Sequence, residues 1–452
     1  MGVGCTLINS YGDVQPLKVV EAGTNDGTVE ASGDAGTDSG SAVDASDGND
    51  GAPPPLRGAI VIGGVAVSDA GETFVLTALD PYTGSELPHA RETMTVSAVQ
   101  YDGERDLWYI FESGGQGIFP LATDAFYVHT RRLNQVTGDW TELGKAAIPP
   151  GLSFGLYGTL VNSIGYVAYG EADAGALDGG SPASYSVIVL NSTDPANVSV
   201  DSVYPLWSSP PSALVPTRTP SDTYGGSLSL ATSVKQGSAT VTQLTRLGVE
   251  LGASGPRAPM VGTAGVGSIV GYAPISDTAG NMSILVVSRG FGTSPATASI
   301  YSPASDDQLS SMGVFPFGDG NVKAPAFSDC DQLAFVVGTN SDLNVYAVNI
   351  SGAASVMSID PDAGPPVLPY TSAPTGHSGQ GVYYEPFTKT VLTPFSQSSN
   401  FVLTAFTLGG TPTSPTLVER QSPRWVPPAD IRPNFVGTAI PYPPNCALFP
   451  DE

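Results

Sequence analysis

A chain of 452 residues with 42 acidic and 17 basic side chains carries a formal net charge of −25. That excludes the clustered cations that bind nucleic acid or adsorb directly to an anionic leaflet. The 54 glycines and 40 prolines exclude long helices, and no apolar run reaches the length of a membrane-spanning helix, while a hydrophobic fraction of 41% suffices for a real core.

The chain opens MGVGCTLINSYGDVQP. Between positions 11 and 52 nine acidic residues face a single Lys18, and large apolar side chains are almost absent. Such a segment cannot bury enough surface to offset its ordering entropy. Residues 1–57 therefore read as an attachment site followed by a disordered acidic Gly/Ala/Ser/Asp linker, stiffened at its end by Pro53-Pro54-Pro55. About 50 flexible residues have a reach of roughly 40 Å.

From Gly58 onward the chain reads as short strands. One unit recurs: an apolar β run, a polar turn and a second run. It is present at 73–87, 125–143, 184–200, 238–251, 282–300, 343–359 and 400–418. Taking Phe74, Tyr127, Val187, Val241, Leu285, Val345 and Val402 as markers, the mean spacing is about 55 residues. A second hairpin precedes the first at 98–112, 324–338 and 381–395. Two hairpins per repeat predict four strands per repeat. The expectation is an all-β, seven-bladed β-propeller over 58–452, with six or eight blades left open. The tail 435–443 is expected to add a strand beside 58–67 and close the ring.

Gly2-Val3-Gly4-Cys5 resembles the end of a bacterial lipoprotein signal, in which a small residue precedes the cysteine that is lipidated. With an acidic tether and a propeller behind it, the layout is similar to Gram-negative envelope lipoproteins. The resemblance implies a lipid on Cys5 and a basic, apolar segment encoded upstream of Met1. Thr6 after the lipidated residue implies the outer membrane. Met1-Gly2 through Thr6 also fits the myristoylation pattern, with Cys5 available for palmitate, but the acidic residues that follow would be repelled by a cytoplasmic leaflet.

Cys330 and Cys446 are then the remaining pair. In an oxidising compartment they are a candidate disulfide; otherwise they are two separate thiols. His89, His129 and His377 are far apart in sequence, no metal-binding motif is present, and no metal or cofactor is expected. Asp102, Asp329 and Glu385 occupy similar places in their repeats, which suits a turn role better than a catalytic trio. GHSGQG at 376–381 fails the nucleophile-elbow pattern because Gln380 replaces its last glycine, and GVGSIVG at 265–271 reads as a glycine-rich inner strand. No catalytic residue is named.

Ala78-Leu79-Asp80-Pro81-Tyr82-Thr83-Gly84 is similar to the repeat core of quinoprotein-type propellers, and Thr137-Gly138-Asp139-Trp140 to kelch-type repeats. Both resemblances imply a propeller and no particular activity. The expected role is a binding or scaffolding module at the bacterial envelope, a monomer held at the membrane by its lipid, with an envelope protein or glycan as partner. Trp207, Trp425 and Tyr442 are candidate contact aromatics. The alternative is a propeller-borne hydrolase or lyase acting on envelope or extracellular glycans, with carboxylates paired in the channel.

Overall fold

The computed structural model describes strands and turns between residues 58 and 439; 1–57, 440–452 and intervening segments, the longest being 114–125, 170–184 and 360–377, lie outside the described residues. The described residues belong to one compact unit. Its first blade contains β1 (Ile60–Ser68), β2 (Gly71–Leu79) and β3 (Glu92–Thr93). The second contains β4 (Val96–Asp102), β5 (Leu107–Ser113), β6 (Phe126–Leu133) and β7 (Trp140–Ile148). The third has β8 (Tyr157–Leu160), β9 (Ser163–Tyr169), β10 (Tyr185–Asn191) and β11 (Ser199–Leu206). The fourth has β12 (Ala213–Thr217), β13 (Ser227–Gln236), β14 (Ala239–Leu247) and β15 (Pro256–Gly262). The fifth has β16 (Ile269–Ser276), β17 (Met282–Ser288), β18 (Thr297–Ser305) and β19 (Gln308–Pro316). The sixth has β20 (Ala326–Ser328), β21 (Leu333–Gly338), β22 (Asn344–Ala353) and β23 (Val356–Ile359). In the seventh, the first strand is split into β24 (Ser378–Gly379) and β25 (Tyr383–Glu385), followed by β26 (Thr390–Gln397), β27 (Asn400–Thr411) and β28 (Ser414–Glu419).

β29 (Ile431–Thr438) pairs antiparallel with β1, so the first blade takes its innermost strand from the far end of the chain. Within every blade neighbouring strands are antiparallel. The innermost strands β29, β4, β8, β12, β16, β20 and β25 adjoin one another in that order, and β25 adjoins β29 again. Seven four-stranded blades thus close into a ring, a β-propeller. Radial repetition leaves only short edges, which suits a Val/Thr-rich chain that must protect them.

Two details differ from the sequence reading. The closing strand starts at Ile431, four residues before the expected 435, because Pro433 is accommodated where a bulge at Gly63/Gly64 shifts the register. Proline donates no ladder hydrogen bond, so a bulge on an inner edge strand is a place where it fits. Six of the seven markers fall on the third strand of their blades, whereas Leu285 lies on β17, the second strand of the fifth. The unit at 282–300 is the β17–β18 hairpin, which comes one strand earlier than its counterparts.

The core is a set of slabs between adjacent blades. Alternate residues of one strand enter different slabs. On β5, Trp108 and Ile110 pack toward the first blade with Leu76 and Ala78, while Tyr109 and Phe111 pack toward the third with Ile188 and Leu190. On β1, Val61 joins the slab with the second blade and Ile60 and Ile62 join the slab with the seventh. Strands buried on both faces carry continuous apolar runs, which is why period-two alternation is weak in the sequence.

Candidate functional site

The two stretches that resemble propeller repeats are the same structure in consecutive blades. Each joins the third strand to the segment leading outward. In the first blade, Asp80 Oδ1 accepts the amide N–H of Tyr82 at 2.7 Å and of Thr83 at 3.1 Å. In the second, Asn134 Oδ1 accepts from Val136 at 2.9 Å and Thr137 at 3.1 Å. Gly84 and Gly138 then donate to the carbonyls of Asp80 and Asn134, both at 2.8 Å. The glycines have φ of +70° and +80°, where a side chain is strained. Short polar side chains that hold the turn amides, followed by a left-handed glycine, are what this loop requires.

Each turn is latched to the preceding blade. Val426 N–H donates to Thr83 O at 2.8 Å, and His89 N–H donates to Thr137 O at 3.1 Å. Trp425 lies flat against Gly84, and Leu87 and Ala90 press on Gly138. Trp140 Nε1 donates to Ala90 O at 3.0 Å. Trp425 is therefore corrected as a candidate surface contact: it is 5% exposed, sits in the slab between the seventh and first blades, and donates to Leu403 O at 3.2 Å. Sequence could not distinguish the two roles, because the glycine that receives the ring is some 340 residues away.

Between these two turns lies a cleft of about 330 Å³, lined by Asp80, Pro81, Tyr82, Leu87, Gln135 and Val136, with Gly58 at its wall. Tyr82 and Val136, at 58% and 47% exposure, stand at its rim. Glu385 lies directly behind Gly58: a Cβ at position 58 would come within 2.3 Å of its Oε1. Glu385 does not reach the cleft. It is fully buried, and its oxygens accept from Phe387 N–H at 3.1 Å and from Thr388 N–H at 2.9 Å and the Thr388 hydroxyl. Burial pushes its carboxyl up to about 7 against the pull of these donors and of Arg420. Arg420 ties the same corner together through the carbonyls of Pro81 (2.8 Å) and Thr388 (3.1 Å).

Asp102 holds the equivalent turn of the second blade. It pairs with Arg105 at 2.6 Å, and Arg105 in turn reaches Ser192 of the third blade. Both acidic residues thus act in turns between first and second strands. Asp329 lies outside the described residues; in its blade Asp331 accepts from the Ser328 hydroxyl at 2.6 Å and the Tyr384 hydroxyl at 2.8 Å.

A charged cluster that sequence reasoning missed lies between the second blade and the outer strand of the first. His129 is buried, with Nε2 at 2.8 Å from Glu112 and Nδ1 at 3.0 Å from Glu142. Arg131 bridges Glu142 and Glu92, and Lys145 meets Glu112 at 2.9 Å while lying over the Tyr127 ring. Burial pushes the Glu112 carboxyl up, but Lys145 and His129 outweigh it and hold the group below the usual range. Cross-strand register was the available signal, since Arg131 lies opposite Glu142 in the β6–β7 hairpin. The cluster links strands of the second blade to one another and to the outer strand of the first. His89 instead pairs with Asp139 at the surface, 2.9 Å away. Among the described residues no group of three or more candidate ligands could hold a metal ion.

Cys330 is disulfide-bonded. Cys5, Cys446, Trp207, Tyr442 and His377 lie outside the described residues, as does the 1–57 segment, and Ser378 is placed on β24 by its backbone alone.

No protein-family model and no curated protein sequence matches the chain. Solved structures do. A Bacteroides fragilis protein assigned as a 6-phosphogluconolactonase superposes with a TM-score of 0.54 at 11% identity, covering 84% of this chain and 97% of its own. The periplasmic gluconolactonase of Pseudomonas aeruginosa gives 0.51 at 12% identity, covering 83% and 98%. A Bacteroides uniformis protein, also assigned as a 6-phosphogluconolactonase, gives 0.51 at 11%, covering 85% and 100%. At these identities the likeness is one of fold.

Proposed function

We propose that this chain is an extracytoplasmic hydrolase built on the propeller ring and acting on a sugar lactone or a related carbohydrate ester. The observation that carries the proposal is the correspondence of the ring, over more than four-fifths of this chain, with propellers named as gluconolactonases. Lactone opening needs water directed at the ester carbonyl and donors for the developing oxyanion. Seven first strands converging on one axis offer a place to mount both. The cleft between the first two blades, with Tyr82 and Val136 at its rim, favours a second reading as a binding module.

The proposal places the ring outside the cytoplasm, tethered through a lipid on Cys5. A disulfide at Cys330 suits an oxidising compartment, and one of the fold neighbours is periplasmic by name. The test is acid release from glucono-δ-lactone and 6-phosphogluconolactone by the purified full chain, followed with a pH indicator under mildly acidic conditions. Mass spectrometry of the N-terminal peptide from the membrane fraction accompanies it. Release well above the spontaneous rate, with a diacylated Cys5, is expected. The spontaneous rate alone from folded protein sinks the hydrolase and leaves the binding module; an unmodified Cys5 sinks the tether.

A further inference from the structure

We infer that the disulfide at Cys330 is closed by Cys446 and fastens the C-terminal tail across the seventh blade, so that release of the closing strand is under redox control. Cys330 is half-buried in the turn between β20 and β21 and is disulfide-bonded. The chain has two other cysteines, Cys5 and Cys446. The inference stands apart from the hydrolase reading. It shares with the lipid tether only the requirement that Cys5 is not bonded to Cys330.

A series of contacts leads from the end of the closing strand to Cys330. Ala439, the residue after β29, donates its amide to Ala59 O at 3.0 Å. Gly58, next to Ala59, lies against Glu385 and Phe387 at the turn after β25. From that turn Lys389 Nζ reaches Asp331 Oδ1 at 3.6 Å, and Tyr384 donates its hydroxyl to Asp331 Oδ2 at 2.8 Å. Asp331 directly follows Cys330. The end of β29 and Cys330 therefore lie on the same face, with one blade between them. Seven residues, 440–446, span about 23 Å when extended. Two blade-to-blade steps at the usual sheet spacing of about 10 Å come to about 20 Å. Cys5, by contrast, stands 53 residues before Gly58. Closure falls as about the −3/2 power of chain length, which favours Cys446 roughly twentyfold.

The bond acts at the seam of the ring. β29 is the strand that closes it, and a strand near a chain terminus opens by fraying from its free end. Fastening position 446 to the sixth blade removes that free end. The bond forms by exchange: a thiolate of one cysteine attacks a mixed disulfide on the other and expels the oxidant's thiol. In all, two thiol protons and two electrons pass to the disulfide of a protein oxidant, which leaves as a dithiol. A small dithiol reverses the exchange, restoring both cysteine thiols and ending as a cyclic disulfide.

The experiment takes the oxidised full chain, denatures and alkylates it without reduction, and cuts it with trypsin. Fragment 324–389 joined to fragment 425–452 is expected. Fragment 324–389 joined to 1–18, or an alkylated Cys446, overturns the inference. The first of these also removes the lipid from Cys5, whereas the second leaves the tether reading standing; neither touches lactone hydrolysis. Hydrogen exchange on the folded chain then reads the lock. Dithiothreitol should speed exchange of the 435–438 amides at least about tenfold and leave those of 107–111 on β5 unchanged. Cys446→Ser should match the reduced wild type with no reductant present. Equal exchange at β29 with and without dithiothreitol overturns the redox control.

Discussion

At Glu385 one carboxyl shows how burial and hydrogen bonding compete. Its oxygens accept from Phe387 and Thr388, which favours the ionised form, yet the site is fully closed to water. Desolvation wins and the folded value rises to about 7, above the ordinary 4.5. Between those values the folded chain binds more protons than the unfolded one, so stability falls as pH rises through that window. The decline attributable to this residue is about 3 kcal/mol between pH 4 and 8. Glu385→Gln keeps an acceptor in the turn and cannot ionise. Urea unfolding should therefore show the variant gaining on the wild type as pH rises from 5 to 8. A constant difference across that range would rule out the burial argument. In the His129 cluster, by contrast, each carboxylate near the imidazole is paired with a cation, Lys145 or Arg131.

At the scale of the element, the latched turn is the repeated device. A left-handed glycine lets the loop fold back, and its bare Cα receives a side chain of the preceding blade. A methyl group at Gly138 would sit 2.8 Å from Leu87 Cβ and 3.0 Å from Ala90 N, neither of which can withdraw without moving the outer part of the first blade. Gly138→Ala should cost about 2 kcal/mol, combining left-handed strain with overpacking. Its urea midpoint should fall with an unchanged slope; an unchanged midpoint would mean the latch is slack. The turns were legible from sequence, because Asp or Asn two and three residues before the amides it holds, with Thr-Gly closing the turn, is local chemistry. What they grip was not: Trp425 reads as a surface aromatic until Gly84, distant in sequence, is placed beneath it.

At the scale of the whole molecule, seven blades are joined by a single non-local clasp, the pairing of β29 with β1. Phe435 and Val436 are buried there, and Trp108 packs over Gly437. Ending the chain at Asp430 would expose β1 and leave β4 and β25 without the strand between them. The shortened protein should lose its single cooperative melting transition and its near-ultraviolet aromatic circular dichroism. A transition as sharp and as high as that of the full chain would show that the remaining six complete blades hold the ring by themselves.

Strand content, the four-strand repeat and the identity of the closing tail were determined by the sequence, and seven was the expected blade count with six or eight left open until the inner strands were seen to close. Each follows from short-range rules: apolar runs between Gly-, Asp- and Asn-bearing turns, repeated at a sustained spacing. Only the tertiary structure decided that Leu285 lies on a second strand, that Pro433 sits within the clasp at a bulge, that Trp425 is core, that His129 joins Glu112 to Glu142, and that two unremarkable turns enclose a cleft. Those outcomes depend on which blade lies beside which and in what register. Such contacts arise between residues far apart along the chain, and they form only once the ring has closed.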